Sequence, residues 1–366
     1  MPANHKTFEH KISAGQSGSS RYAFFMRDLA ALSARFDITL HNMSGERFEE
    51  CNSILVIPTF GRAAYVRECL ASLENAFVNT DTLVCIVDET NAAVSTDTFQ
   101  GFRRFYGMYY SGDGIRCVKA PISTVYEEAT KDDLCVAFDE SGWMKSALEE
   151  PVIMPDSNFS FYIRESFLER NPAVRMACDS VMTEKSDDHK AARRVVEEFR
   201  PGNISVIKLF KRNHVGMFDS LKVGFDLGSN YFRYLINLDS DTIHNRAWID
   251  KLKGIYREIS AANPDKSIIL SGFHTPAHGE LEKHGSYRVK KSLGGLNLFF
   301  EPETYSRYVK KHLYSVGWDW GISERGDEGL LLAATRPSVI QHIGEHGLWS
   351  RTGRCDEADD FVRDGS

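Results

Sequence analysis

The feature that most constrains the fold is a set of short, predominantly apolar runs, each stopping on a proline or an acid and each followed by residues with helical spacing. Ser53–Pro58 (SILVIP) leads through Thr59–Arg62 into a helix-like stretch near Tyr65–Ala76, Thr82–Val87 (TLVCIV) runs into Asp88, and Tyr234–Leu238 (YLINL) runs into Asp239, Ser240 and Asp241. A half-exposed antiparallel strand would alternate apolar with polar residues, whereas an unbroken apolar run suits a strand covered on both faces. Strands of this kind separated by helices predict an α/β fold of Rossmann-like type, with a central, mostly parallel sheet flanked by helices.

Other segments extend the pattern. Strands are expected at Ile204–Leu209, Ser267–Ser271 and Val339–Ile343, and Lys290–Phe300 reads as a glycine loop leading into another. Trp248, Ile249, Leu252, Ile255, Tyr256 and Ile259 recur at three and four positions, which predicts an amphipathic helix. Arg21–Phe36 carries an apolar stripe and is expected as an added N-terminal helix, Asn213–Gly224 as a short helix, and Thr183–Glu198 as a solvated one.

Charge and cysteine usage exclude several classes. With 44 Lys+Arg against 51 Asp+Glu the net charge is −7, which gives no broad basic surface for sequence-independent phosphate binding. The seven cysteines are scattered and form no CxxC pair, so they are expected to be reduced and structural. No apolar run reaches the roughly 20 residues of a bilayer span, and the polar N-terminus lacks the apolar core of a secretory signal, so a cytoplasmic location is expected.

The acids sit where chemistry is expected. In open α/β sheets ligands settle at the carboxyl ends of the strands, the position predicted for Asp88 and for Asp239-Ser240-Asp241. Two carboxylates one residue apart can hold a hard divalent cation such as Mn2+ or Mg2+ through oxygen. Asp-x-Asp alone also caps helices and decorates loops.

Five features together resemble the metal-dependent GT-A glycosyltransferases (family 2-like): Ile57–Arg62 after the first strand, Asp88 after another, Asp239-Ser240-Asp241, Gly294-Gly295, and Trp318-Asp319-Trp320 followed by His342. The resemblance implies a GT-A fold and transfer of a sugar from a nucleotide-sugar donor, with UDP-sugars favoured, to an acceptor hydroxyl. The acceptor is a glycan, a protein, a small molecule or a modified nucleic acid. It further implies donor contacts from Pro58, Thr59, Arg62, Asp88, Asn213, Asp239, Ser240, Gly294 and Gly295, and a metal shell of Asp239, Asp241 and His342. Trp318 and Trp320 are implied to face the acceptor. For inversion, the resemblance points to Asp319 as the general base, with Asp327 and Glu328 as alternates. On this reading, residues 1–50 are an extension with one helix and residues 51–355 the catalytic domain, with 356–366 as a tail. The nucleotide-binding part spans about 51–242, with an insertion over about 120–205, and the acceptor-binding part about 243–355. Glu345, His346 and Trp349 are read as a lid.

Other readings are a haloacid-dehalogenase-like phosphatase and an inactive nucleotide-sugar-binding protein. The phosphatase pattern wants Thr or Val where Ile243 stands, and wants its Asp-x-Asp after the first strand of the domain.

Overall fold

The computed structural model describes residues 20–76, 81–88, 109–110, 117–121, 136–137, 160–164, 169–212, 217–313, 318–324, 329–344 and 356–363. Its strands are β1 (Phe36–His41), β2 (Ser53–Thr59), β3 (Thr82–Asp88), β4 (Tyr109–Tyr110), β5 (Cys117–Pro121), β6 (Val136–Ala137), β7 (Ser160–Arg164), β8 (Ser205–Lys211), β9 (Tyr234–Leu238), β10 (Thr242–His244), β11 (Ser267–Ser271), β12 (Glu280–Lys283), β13 (Tyr287–Lys290), β14 (Asn297–Phe300), β15 (Leu330–Thr335) and β16 (Ile340–His342).

Ten of these form one sheet in the order β1-β8-β3-β2-β9-β14-β11-β15-β13-β12. Seven strands (β8, β3, β2, β9, β11, β15 and β12) point one way, and β1, β14 and β13 oppose them. The expected α/β fold with a large, mostly parallel sheet is therefore present. From β2 the chain builds outward through β3 to β8 on one side, then crosses to place β9 on the other. That reversal leaves a crevice at the carboxyl ends of β2 and β9, where α/β folds seat ligands.

Each side of the sheet carries its own core. Leu55, Ile57, Val84 and Ile86 pack with Val66, Leu70 and Leu73 of helix Ala63–Ala76 and with Ala192 and Val196 of helix Pro172–Glu198. Ile54, Val56, Leu83 and Cys85 face the other way, toward Leu221 and Phe225 of helix Met217–Gly228. Alternate residues of β2 serve opposite cores, which is why its run is apolar throughout. Helix Met217–Gly228 lies close against β2: a Cβ at Gly224 would stand 2.5 Å from Val56 Cγ1, and one at Gly228 would stand 2.5 Å from Ile54 Cγ2.

The N-terminal expectation needs correction. The helix stops at Ala31, and Phe36–His41 is an edge strand paired antiparallel with β8, followed by a short helix Gly45–Glu50. Strand pairing outweighs the local helical stripe because β8 offers β1 a ladder of backbone partners. Strands β12, β13 and β15 also went unrecognised, whereas the helix expected at Thr183–Glu198 starts earlier, at Pro172, a residue suited to a first turn. Between β3 and β8 the chain adds two small antiparallel pairs, β4 with β6 and β5 with β7. Cys51, Cys69 and Cys85 are free and buried, and burial pushes each thiol up to about 12, so these three are inert at neutral pH.

The tail, which the sequence left without a role, is docked. Asp360 accepts from Ser338 N and Oγ at 2.9 and 2.6 Å and pairs with Arg288 at 2.6 Å. Ala358 N donates to Gln341 Oε1 at 2.7 Å, and Asn245 Nδ2 donates to the carbonyl of Val362 at 2.9 Å. These contacts brace the segment that carries His342.

Candidate functional site

Strand register builds the first part of the site. Parallel pairing sets Thr59 beside Asp88 at the ends of β2 and β3, where Thr59 Oγ1 donates to Asp88 Oδ1 at 2.8 Å and both residues are buried. Pro58 lies one position earlier, opposite Val87.

The next turn is strained. Gly61 and Arg62 have φ of 62° and 56°, a left-handed pair in which Arg62, carrying a Cβ, is disfavoured unless held. Asp188 of helix Pro172–Glu198 holds it: one carboxylate oxygen accepts from Arg62 N, and the other accepts from Ala63 N at 2.9 Å. The same carboxylate caps the first turn of helix Ala63–Ala76. His189 packs against Phe60 with ring centroids 4.5 Å apart, and a Cβ at Gly61 would overlap its ring. The turn aims the Arg62 guanidinium at Asp241, with Nη1 2.5 Å from Oδ2. Asp188→Ala should therefore lower unfolding stability by about 1 kcal/mol through the lost cap, read from the shift in urea midpoint.

A second small sheet supplies the histidine. β10 pairs antiparallel with β16, matching Thr242 with His342, and Ile343 N donates to the carbonyl of Asp241 at 2.9 Å. His342 Nε2 consequently lies 3.3 Å from the same Asp241 Oδ2 that meets Arg62. Gly344 is required here, because a Cβ at that position would stand 2.2 Å from Asp241 Oδ2. Asp241 is 5% exposed, and its Oδ1 is buried with no hydrogen-bond partner among the described residues.

The two acids differ in their surroundings. Burial and the neighbouring Asp241 charge push the Asp239 carboxyl upward. Burial acts in the same direction on Asp241, but Arg62 and His342 outweigh it and hold that carboxyl down. Burial lowers His342, yet the hydrogen bond and charge of Asp241 reverse this and raise it. The arrangement concentrates negative charge on Asp241 beside the Arg62 guanidinium and the His342 imidazole. Asp239 is half-buried, its N–H donating to the carbonyl of Leu296 at 2.9 Å, and Ser240 beside it is buried.

The glycine loop is pinned by two buried asparagines that the sequence analysis passed over. Asn237 Nδ2 donates to the carbonyl of Gly295 at 2.5 Å and its Oδ1 accepts from Leu298 N at 2.8 Å. Asn297 Nδ2 donates to the carbonyl of Asn237 at 2.7 Å and its Oδ1 accepts from Gly272 N at 2.9 Å. A signal was available: Asn237 is the one polar residue inside an otherwise apolar five-residue strand.

Asp319 opens helix Trp318–Glu324, and its carboxylate accepts from Gly295 N at 2.9 Å and from Trp320 N at 3.0 Å. It thus ties the helix to the Gly294-Gly295 loop at the same sheet edge. The two tryptophans diverge. Trp318 is 4% exposed within the core, and a Cβ at Gly295 would stand 2.9 Å from its Cζ2, so it fills space under the loop. Trp320 is 52% exposed. Lys290, at the start of the glycine-loop segment, is buried with Nζ 3.0 Å from His274 Nδ1. Asn213, Asp327, Glu328 and the segment with Glu345, His346 and Trp349 lie outside the described residues.

Among the described residues no group of three or more His, Cys, Asp or Glu side chains is placed to hold a metal ion. The donor types around Asp241 are those a hard divalent ion takes: a buried carboxylate oxygen with no hydrogen-bond partner among the described residues, an imidazole at the same carboxylate, and the carboxylate of Asp239 two positions earlier in the chain.

No protein-family profile matches the chain, and no curated protein matches it in sequence. Similar solved structures include a mannosyltransferase from Pyrobaculum calidifontis in complex with GDP-Man and Mn2+, at 11% identity and TM-score 0.34, covering 85% of this chain and 64% of that one. A 4-diphosphocytidyl-2C-methyl-D-erythritolsynthase from Anaerococcus prevotii follows at 10% identity and TM-score 0.31, covering 81% of this chain and 92% of that one. A mannose-1-phosphate geranyltransferase from Thermus thermophilus has 9% identity and TM-score 0.23, covering 40% of this chain and 56% of that one. This chain therefore spans less than two thirds of the mannosyltransferase it matches.

Proposed function

We propose that the protein transfers a sugar from a nucleotide-sugar donor to an acceptor hydroxyl, with inversion, at the carboxyl edge where β2, β3 and β9 end. The observation that supports this reading is the convergence of Arg62 and His342 on one oxygen of Asp241, from segments far apart in sequence. A buried acid serving only to cap a loop would not draw a guanidinium and an imidazole to one oxygen and leave the other without a partner among the described residues.

Asp241, Asp239 and His342 are the residues that would hold Mn2+ or Mg2+, which when bound supplies Lewis-acid stabilisation of a leaving diphosphate. The chain's own groups have separate tasks. Arg62, held by Asp188, offers a fixed guanidinium for phosphate oxygens, a geometry suited to bidentate contact. Thr59 and Asp88 form the buried floor on which a nucleoside would rest. Gly294 and Gly295 let backbone come close to a bound sugar. Asp319, facing the edge from the helix start, would accept the proton of the attacking hydroxyl.

Release of nucleoside diphosphate from UDP- and GDP-sugars, and of CMP from CMP-sugars, tests the reading. With Mn2+ at least one donor should turn over, and excess EDTA should lower the rate by tenfold or more. No turnover with any donor, together with no nucleotide binding by calorimetry, would defeat it. Turnover indifferent to EDTA would defeat the metal assignment alone.

A further inference from the structure

The same sheet edge carries Trp320, which the family resemblance implies to face the acceptor, and His278, to which nothing so far gives a part in the reaction. The loop after β11 delivers His278, and the helix after the Asp319 turn delivers Trp320; their ring centroids are 5.4 Å apart and tilted by 38°. Trp320 is the only aromatic among the exposed large hydrophobic residues in the described part of the chain. An indole left half in water beside polar groups calls for a ligand with both an apolar face and hydroxyls.

His278 is the matching polar group. Its ring is 8% exposed, and Nδ1 lies 2.8 Å from Ser292 Oγ. In the tautomer that donates from Nδ1 to Ser292 Oγ, Nε2 presents a lone pair, and that atom has no hydrogen-bond partner among the described residues. Burial lowers the His278 imidazole and Lys290 lowers it further, with the charges of Asp319 and Asp356 opposing, which disfavours the charged form of the ring. Gly294 leaves it open: a Cβ there would stand 3.1 Å from Nε2.

We propose that Trp320 and His278 form a saccharide-binding subsite on the acceptor side, the indole face lying against the C–H face of a sugar ring and Nε2 accepting from one of its hydroxyls. This rests on the transferase reading and narrows its acceptor to a carbohydrate. Asp319, the residue before Trp320, then lies beside the bound ring.

Ligand-observed saturation-transfer NMR on the full chain, without donor or metal, tests the subsite with methyl glycosides of glucose, galactose, mannose and N-acetylglucosamine. At least one glycoside should bind. Its Kd should rise tenfold or more in Trp320→Ala and threefold or more in His278→Ala, and return near the native value in Trp320→Phe, which keeps an aromatic face and controls for misfolding. No binding by any of the four, or an unchanged Kd in Trp320→Ala, overturns the proposal. Donor turnover measured separately keeps the two ideas apart. Glycoside binding with neither turnover nor binding of any nucleotide sugar sinks the transferase reading, whereas donor turnover with glycoside binding indifferent to Trp320 and His278 sinks the subsite.

Discussion

Asp241→Asn should lower sugar transfer by about a thousandfold or more, equivalent to about 4 kcal/mol of transition-state stabilisation. Asparagine keeps the shape but removes the charge toward which Arg62 and His342 both point, and replaces one of the two oxygens. A single neutral carbonyl cannot serve as the carboxylate does, for the cationic side chains or for a hard divalent ion. Mn2+ affinity, followed by the paramagnetic signal of the free ion, should fall in parallel. Near-UV circular dichroism separates loss of function from loss of fold, since removing one partner from a buried charged cluster also destabilises. Transfer within tenfold of the unsubstituted protein would place the chemistry elsewhere.

Asp319→Asn should give a different signature. Transfer should drop by about 100- to 10,000-fold, the range expected for losing a general base, while donor affinity stays within about twofold. The separation follows from position: Asp319 lies across the Gly294-Gly295 loop and makes no hydrogen bond to Asp239, Asp241 or His342. Asparagine can still accept from one of the two backbone N–H groups, so the loop should keep much of its shape. Single-turnover rates alongside donor titrations distinguish the outcomes. Normal transfer would show that Asp319 acts only as a tether, and an equal loss of donor affinity would show that it works through the loop.

How much was legible in advance varied with how local the cause was. The apolar runs of β2, β3 and β9 were visible because a strand covered on both faces has few positions for a polar residue, and Asn237 sits in β9 only with its amide hydrogen-bonded through both nitrogen and oxygen. The acids at the ends of β3 and β9 were visible for the converse reason, since polarity returns where a strand leaves the core. β1 was hidden because its stabilising partner, β8, lies far along the chain. Trp318 and Trp320 read alike in sequence and separate only in three dimensions, one under the glycine loop and the other in solvent.

The histidines make the same point. His342 was singled out through a family likeness, yet its meeting with Asp241 depends on β16 pairing with β10. His278 was passed over, because nothing near it in sequence marks a histidine whose neighbours Ser292, Gly294 and Trp320 arrive from two other segments. Asp188 was hidden for a similar reason: it lies in a charged helix whose sequence reads as a solvated face, and its task is set by a turn more than a hundred positions away.

By itself, then, the sequence determined that the chain builds a covered, largely parallel sheet and that acids emerge at its carboxyl edge, because apolar pattern and strand length are local properties. Only the tertiary structure decided which acid is buried with cationic partners, which asparagines hold the loop, and which aromatic faces outward. Those outcomes depend on desolvation and on contacts between distant segments, and neither exists until the chain has packed.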